Sequence, residues 1–152
     1  MRDQRTPWIV AIGASGAQGL NDIVQLVGEL PSTLPAILMV VLHRRWHEPT
    51  ALRAILARNC AFPVVIAVPG DYFKAGIVYI GEPATHLTLA ANTFGTLVDD
   101  PNRQHGGRTV DLLFRSIAAH AGRHMIGVVL SGSLDDGSRG LAAIHAAGGL
   151  TM

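Results

Sequence analysis

The order of elements predicts an α/β fold: a mainly parallel, doubly wound sheet with helices on both faces and a short antiparallel or hairpin excursion. Three observations carry this. Strand and helix patterns alternate through about residue 60. The run at residues 35–42 is apolar throughout and rich in Ile, Val, Leu and Met, as a strand buried on both faces requires. Between the first strand and the first helix lies a turn of glycines and small residues, Gly13-Ala14-Ser15-Gly16-Ala17-Gln18-Gly19.

The elements follow in order. Residues 8–13 form the first strand. From Gly19 onward, Leu20, Ile23, Val24, Val27 and Leu30 recur at helical spacing, and Pro31 ends the helix. Residues 35–42 are the second strand, closed by His43-Arg44-Arg45. Leu52, Ile55 and Leu56 place a helix that runs to about Asn59. The middle changes character. Short strands are expected at 63–68, 76–80 and 86–90, as hairpin-like or antiparallel excursions, with a loop at 98–107. Val110, Leu113, Phe114, Ile117 and Ala118 then mark a helix, and residues 125–130 a buried strand. That strand runs into Ser131-Gly132-Ser133-Leu134-Asp135-Asp136-Gly137. A last helix covers 141–147, and another strand is expected to start at Leu150.

Composition bounds the function. With 152 residues, 49% of them hydrophobic, the chain can fill the core of one domain. A net charge of +1 and the lack of a basic stripe argue against nucleic acid as a partner. Cys60 is the single cysteine, so no internal disulfide can form, which suits a reducing compartment. The sequence has neither a signal-peptide core nor an apolar run of membrane-spanning length, so a cytoplasmic protein without membrane insertion is expected.

Three strand ends carry reactive side chains: Ser15 after the first, His43 after the second, and Asp135 and Asp136 after a later one. Chemistry in an open parallel sheet collects at the carboxyl ends of its strands. A hydroxyl becomes a useful nucleophile when an imidazole takes its proton, and the imidazole needs a carboxylate to set its tautomer. Each residue also has a plainer role: Ser15 as a helix cap, His43 as a strand-end polar residue, Asp135-Asp136-Gly137 as a turn. A dinucleotide cradle is the main rival. Its phosphates would lie on the Gly13–Gly19 turn, with Arg44 and Arg45 on the 2′-phosphate of NADP. Metal binding lacks a third ligand of clear spacing beside His43 and His47.

The motifs Ile12-Gly13-Ala14-Ser15, Val78-Tyr79-Ile80 with His86, Val110-Asp111-Leu112-Leu113-Phe114-Arg115-Ser116 and Gly127-Val128-Val129-Leu130-Ser131-Gly132 occur in this order, with His43 after the second strand and Asp136-Gly137 after the last motif. In order and spacing the chain resembles the catalytic domain of the chemotaxis protein-glutamate methylesterase (CheB) family. The resemblance implies a single catalytic domain over residues 1–152 with no receiver domain in front. It also implies that the family's C-terminal strand and helix are missing, so that a second copy could complete the sheet. The activity implied is hydrolysis of glutamate methyl esters on methyl-accepting chemoreceptors, with deamidation of glutamine alongside, and with neither metal nor organic cofactor. Carried over by motif, Ser15 is the nucleophile, His43 the general base and Asp136 its orienting carboxylate. The backbone N–H groups of Gly16 and Ser133 form the oxyanion hole. A methylesterase-like interaction module without activity is the alternative within the same scaffold.

Overall fold

A computed structural model describes residues 6–43, 51–81, 85–90, 95–100, 108–131 and 135–152. Eight strands and four helices occur among them: β1 (Trp8–Ser15), α1 (Gly16–Glu29), β2 (Ala36–His43), α2 (Leu52–Asn59), β3 (Val64–Ile66), β4 (Val78–Ile80), β5 (Thr85–Leu89), β6 (Gly95–Asp99), α3 (Thr109–His120), β7 (Met125–Val129), α4 (Ser138–Ala146) and β8 (Leu150–Thr151). Six strands form one sheet in the order β3-β4-β2-β1-β7-β8, with every pairing parallel. β5 and β6 make a separate antiparallel pair.

Strand periodicity divides the core in two. Side chains alternate between faces along a strand. Ile9 and Ala11 of β1 and Ile37, Met39 and Val41 of β2 pack with α3, whose Val110, Leu113, Phe114 and Ile117 form the buried stripe, and with Ile144 of α4. Ile12, Ala14, Leu38 and Val40 face the other way. They pack with Ile23 and Val27 of α1 and Leu52 and Leu56 of α2. The sheet is therefore covered by helices on both faces. α1 ends where Leu30 turns extended ahead of Pro31, since a proline disfavours helical backbone in the residue before it.

The middle of the chain departs from expectation in two places. β3 and β4 are not antiparallel excursions: they pair in parallel with each other, and β4 joins the main sheet beside β2. Their shortness hid this, because three residues leave no room for a periodic signal. The antiparallel hairpin lies later, and its second strand occupies Gly95–Asp99, overlapping the start of the expected loop. Gly95 is required there. A Cβ would stand 2.3 Å from the ring of Phe73, a fully buried side chain.

Strand order locates the functional edge. The chain leaves β1 towards β2 on one side, and later returns to place β7 on the other side of β1. The carboxyl ends of β1 and β7 thus flank the topological switch point, where a doubly wound sheet opens a crevice for ligands. No helix among the described residues is long and apolar enough to cross a membrane.

Candidate active site

β1 and β2 pair in unbroken register from Trp8 opposite Ala36 to Ser15 opposite His43. Adjacent strands lie about 4.8 Å apart, so the last residues of both strands are immediate neighbours. Ser15 continues the alternation Ile9, Ala11, Gly13, and His43 continues Ile37, Met39, Val41. Both therefore emerge on the face covered by α3 and α4. Asp136 arrives on that face from the turn before α4. Its Oδ2 lies 3.3 Å from His43 Nδ1, with the His43 side chain 18% exposed and the Asp136 side chain 2% exposed. That separation is an ion-pair distance, while the ring is not turned to hydrogen-bonding geometry. One pocket is lined by Ala14, Ser15, His43, Val110, Val129, Leu130, Ser131 and Asp136.

Ser15 has extended backbone (φ −139°, ψ 148°) at the N-cap of α1, yet its side chain makes no capping hydrogen bond. The cap reading thus finds no support in the geometry, and Ser15 lines the pocket. Gly16, the first residue of α1, has φ +70°, a left-handed value that glycine adopts without steric cost. Its N–H opens the helix N-terminus, where backbone donors and the helix dipole favour developing negative charge.

The glycines of this turn have structural explanations. A Cβ at Gly13 would stand 2.4 Å from Val110 Cγ1, so Gly13 lets the start of α3 approach the sheet. A Cβ at Gly19 would meet Ala14 Cβ at 2.9 Å and the Ser131 carbonyl at 3.2 Å. Packing and one left-handed turn thus account for the pattern that suggested a dinucleotide cradle. Arg44, Arg45 and His47 lie outside the described residues, as does Ser133, the second expected oxyanion donor. Among the described residues no group of three His, Cys, Asp or Glu side chains is placed to hold a metal ion.

Asp136 is held by more than His43. Its Oδ2 accepts the N–H of Val110 and its Oδ1 the N–H of Asp111, each at 2.9 Å. Those are donors in the first turn of α3, so the carboxylate is fixed at a helix N-terminus. Asp135 is exposed, and its Oδ1 accepts the Ser138 hydroxyl at 3.0 Å. Of the two neighbouring aspartates, Asp136 is the one brought to His43. His86 does not line the pocket; its Nε2 lies 3.2 Å from Asp100 Oδ2 at the hairpin.

At the pocket rim the Ser131 hydroxyl donates to Asp22 of α1, and Gln18 Nε2 donates to the same carboxylate at 2.9 Å. These bonds, Ser131 first, hold the Asp22 carboxyl below its usual pKa of 3.8. The Ser131 carbonyl accepts the Ser15 N–H at 3.3 Å. Ser131 thereby joins the end of β7 to both β1 and α1, a role its sequence did not reveal. Asp111, one residue from Val110 and three from Phe114, is a carboxylate buried along the apolar stripe of α3.

Ser, His and Asp side chains gathered at the switch point of a doubly wound sheet make the arrangement of an α/β protein with a carboxyl-edge site. The CheB methylesterase family model matches residues 10–152. A protein-glutamate methylesterase/protein-glutamine glutaminase of Pectobacterium atrosepticum is 35% identical over 153 residues, spanning 95% of this chain and 41% of its own length. Its counterpart numbered 6 in Anaeromyxobacter dehalogenans is 34% identical over 154 residues, spanning 96% and 44%. The crystal structure of the Thermotoga maritima CheB methylesterase catalytic domain superposes with a TM-score of 0.85 at 27% identity, covering 97% of this chain and 79% of that one. The chain belongs to the CheB methylesterase family. It spans about two fifths of the length of the curated relatives it matches.

Proposed function

We propose that the chain is a protein-glutamate methylesterase that uses Ser15, His43 and Asp136 as a catalytic triad. The observation that carries the proposal is the register pairing of Ser15 with His43, together with the 3.3 Å approach of Asp136 to Nδ1 of that imidazole. Ser15 Oγ attacks the carbonyl carbon of a glutamate γ-methyl ester while His43 takes its proton. The tetrahedral oxyanion is held by the backbone N–H of Gly16, with Ser133 as the second donor. Collapse breaks the bond to the methoxy oxygen, which leaves as methanol with the proton from His43. Water, deprotonated by His43, then cleaves the acyl-enzyme and frees the glutamate carboxylate and the Ser15 hydroxyl. Asp136 orients the imidazole and stabilises its cation in both halves. A glutamine side chain would follow the same path with ammonia leaving.

Family membership and the names of the relatives support this reaction class. The substrate of this reading is a methyl-accepting chemoreceptor, and the compartment it assigns to the chain is the cytoplasm. No step draws on a metal or an organic cofactor.

The test is methanol release from methylated chemoreceptor membranes, comparing wild type with Ser15→Ala and following both by circular dichroism. Release by the wild type and none by a folded Ser15→Ala is the expected result. A folded wild type that releases no methanol would point to an inactive scaffold that binds without turnover.

A further inference from the structure

The helix that receives Asp136 gives something back. Asp111, in the first turn of α3, is a buried carboxylate at 3% exposure. Its Oδ1 accepts the N–H of Gly137 at 3.0 Å and of Gly140 at 2.7 Å. These are the N-cap and third helical positions of α4, the helix that Asp136 immediately precedes. Neither helix has a capping side chain of its own: Arg108 and Gly137 occupy the cap positions, and neither makes a capping bond. The two helices therefore cap each other, Asp136 serving α3 and Asp111 serving α4.

The packing brings the two helices close enough for this exchange. A Cβ at Gly140 would stand 2.5 Å from Phe114 Cβ and 3.3 Å from the Asp111 Cα, so the α4 backbone rests on α3 at Asp111. Gly137 has φ +114°, and a Cβ there would meet Val129 and Val110 at about 3 Å. Asp136 thus sits between the Gly137 N–H tied to Asp111 on one side and its own carboxylate on the other, bonded to α3 and 3.3 Å from His43 Nδ1.

We propose that Asp111 is a positioning residue for the reaction: by capping α4 it fixes the backbone at Gly137, and so sets where the Asp136 carboxylate meets His43. The proposal rests on the methylesterase reading for its rate prediction, but not for its structural one. Arg108 Nη1 lies 3.3 Å from Asp111 Oδ2, so the cation meets the oxygen that α4 does not use. An acceptor oxygen at Asp111 Oδ1 is what α4 requires, so asparagine, which keeps that oxygen, should serve where alanine cannot.

The experiment compares wild type with Asp111→Ala, Asp111→Ser and Asp111→Asn in two readouts. One is kcat and KM for methanol release. The other is the proton NMR line of His43 Nδ1–H, recorded in acidified samples where the imidazole is cationic, with Asp136→Ala as the control that removes its partner. That line needs no substrate. The expected result for Asp111→Ala is a kcat lower by about 10- to 100-fold with KM within about twofold, because a displacement near 1 Å is enough for such a loss. Its Nδ1–H line should move toward that of Asp136→Ala. Asp111→Asn should restore kcat to within about threefold and the line to its wild-type position. Asp111→Ser, which offers one shorter acceptor, should fall between them and serves if Asp111→Ala does not fold. A folded Asp111→Ala or Asp111→Ser with wild-type kcat and an unmoved line overturns the proposal, even if its thermal stability drops. A wild type that shows the line but releases no methanol refutes the methylesterase reading alone, and the response of the line to Asp111→Ala and Asp111→Ser then decides the positioning role.

Discussion

Two helix N-termini meet the same pocket and are treated in opposite ways. At α3, first-turn donors are consumed by a carboxylate, the Val110 and Asp111 N–H groups both ending on Asp136. At α1, Ser15 sits in the cap position without capping, and the first turn carries no acidic residue. An N-terminus that is satisfied by protein becomes a rigid mount. One that is left to solvent keeps its donors and dipole for charge that appears only during reaction. The difference explains why one serine and one aspartate, both typical capping residues, have divergent fates here.

Replacing Ser15 strains this comparison most. Ser15→Ala should lower turnover by at least ~10³-fold, as should His43→Ala, since removing a member of such a triad leaves only binding and oxyanion stabilisation. Thermal unfolding of Ser15→Ala should stay within about 0.5 kcal/mol of wild type, because no cap is lost. A stability loss of about 1 kcal/mol or more would show that Ser15 does cap α1, and the contrast would fail.

Asp136→Ala should show the reverse balance. It strands two buried N–H donors, so a loss of about 2–4 kcal/mol in denaturant unfolding is expected along with the loss of activity. Asp136→Asn, which keeps an acceptor, should recover part of that stability and little of the turnover. If Asp136→Ala unfolded no more easily than wild type, the mutual capping of α3 and α4 would carry no weight.

Gly13→Ala probes the mount from the strand side. Its methyl group would press on the β-branched side chain of Val110, which has little freedom in a helix, and should destabilise by about 1–3 kcal/mol. The smallest effect belongs to Ser131→Ala at the open rim. Its readout is the Asp22 titration followed by NMR. Asp22 titrates below its usual value because Ser131 and Gln18 stabilise its anion, so losing Ser131 should raise that pKa. The sign for stability follows. A depressed carboxyl contributes above its usual pKa, and that contribution fades as pH falls through the folded value. Ser131→Ala should therefore reduce the acid sensitivity of the fold slightly.

Much of this was legible in the sequence. The apolar run of β2 and the helical spacing of α1 and α3 predicted the fold, since long periodic segments report directly on burial. Ser15, His43 and Asp136 were each placed at a strand end or the turn beyond one, and the structure brings them to a single pocket. What brings them there was not legible. The register that sets Ser15 beside His43 depends on pairing between strands, and strand spacing alone does not specify it. Nor do local patterns report that Asp136 would cap a helix some 25 residues earlier in the chain, or that Asp111 would return the bond. The parallel pairing of β3 and β4 is likewise set by tertiary packing and not by their own residues.

The most direct measurement of the central claim is covalent labelling by a fluorophosphonate probe, read by mass spectrometry of the digested protein. Wild type should carry the label on the peptide containing Ser15, and His43→Ala should lose it, since the hydroxyl is reactive only when the imidazole accepts its proton. Label on another serine, or equal labelling of Ser15 without His43, would contradict the account.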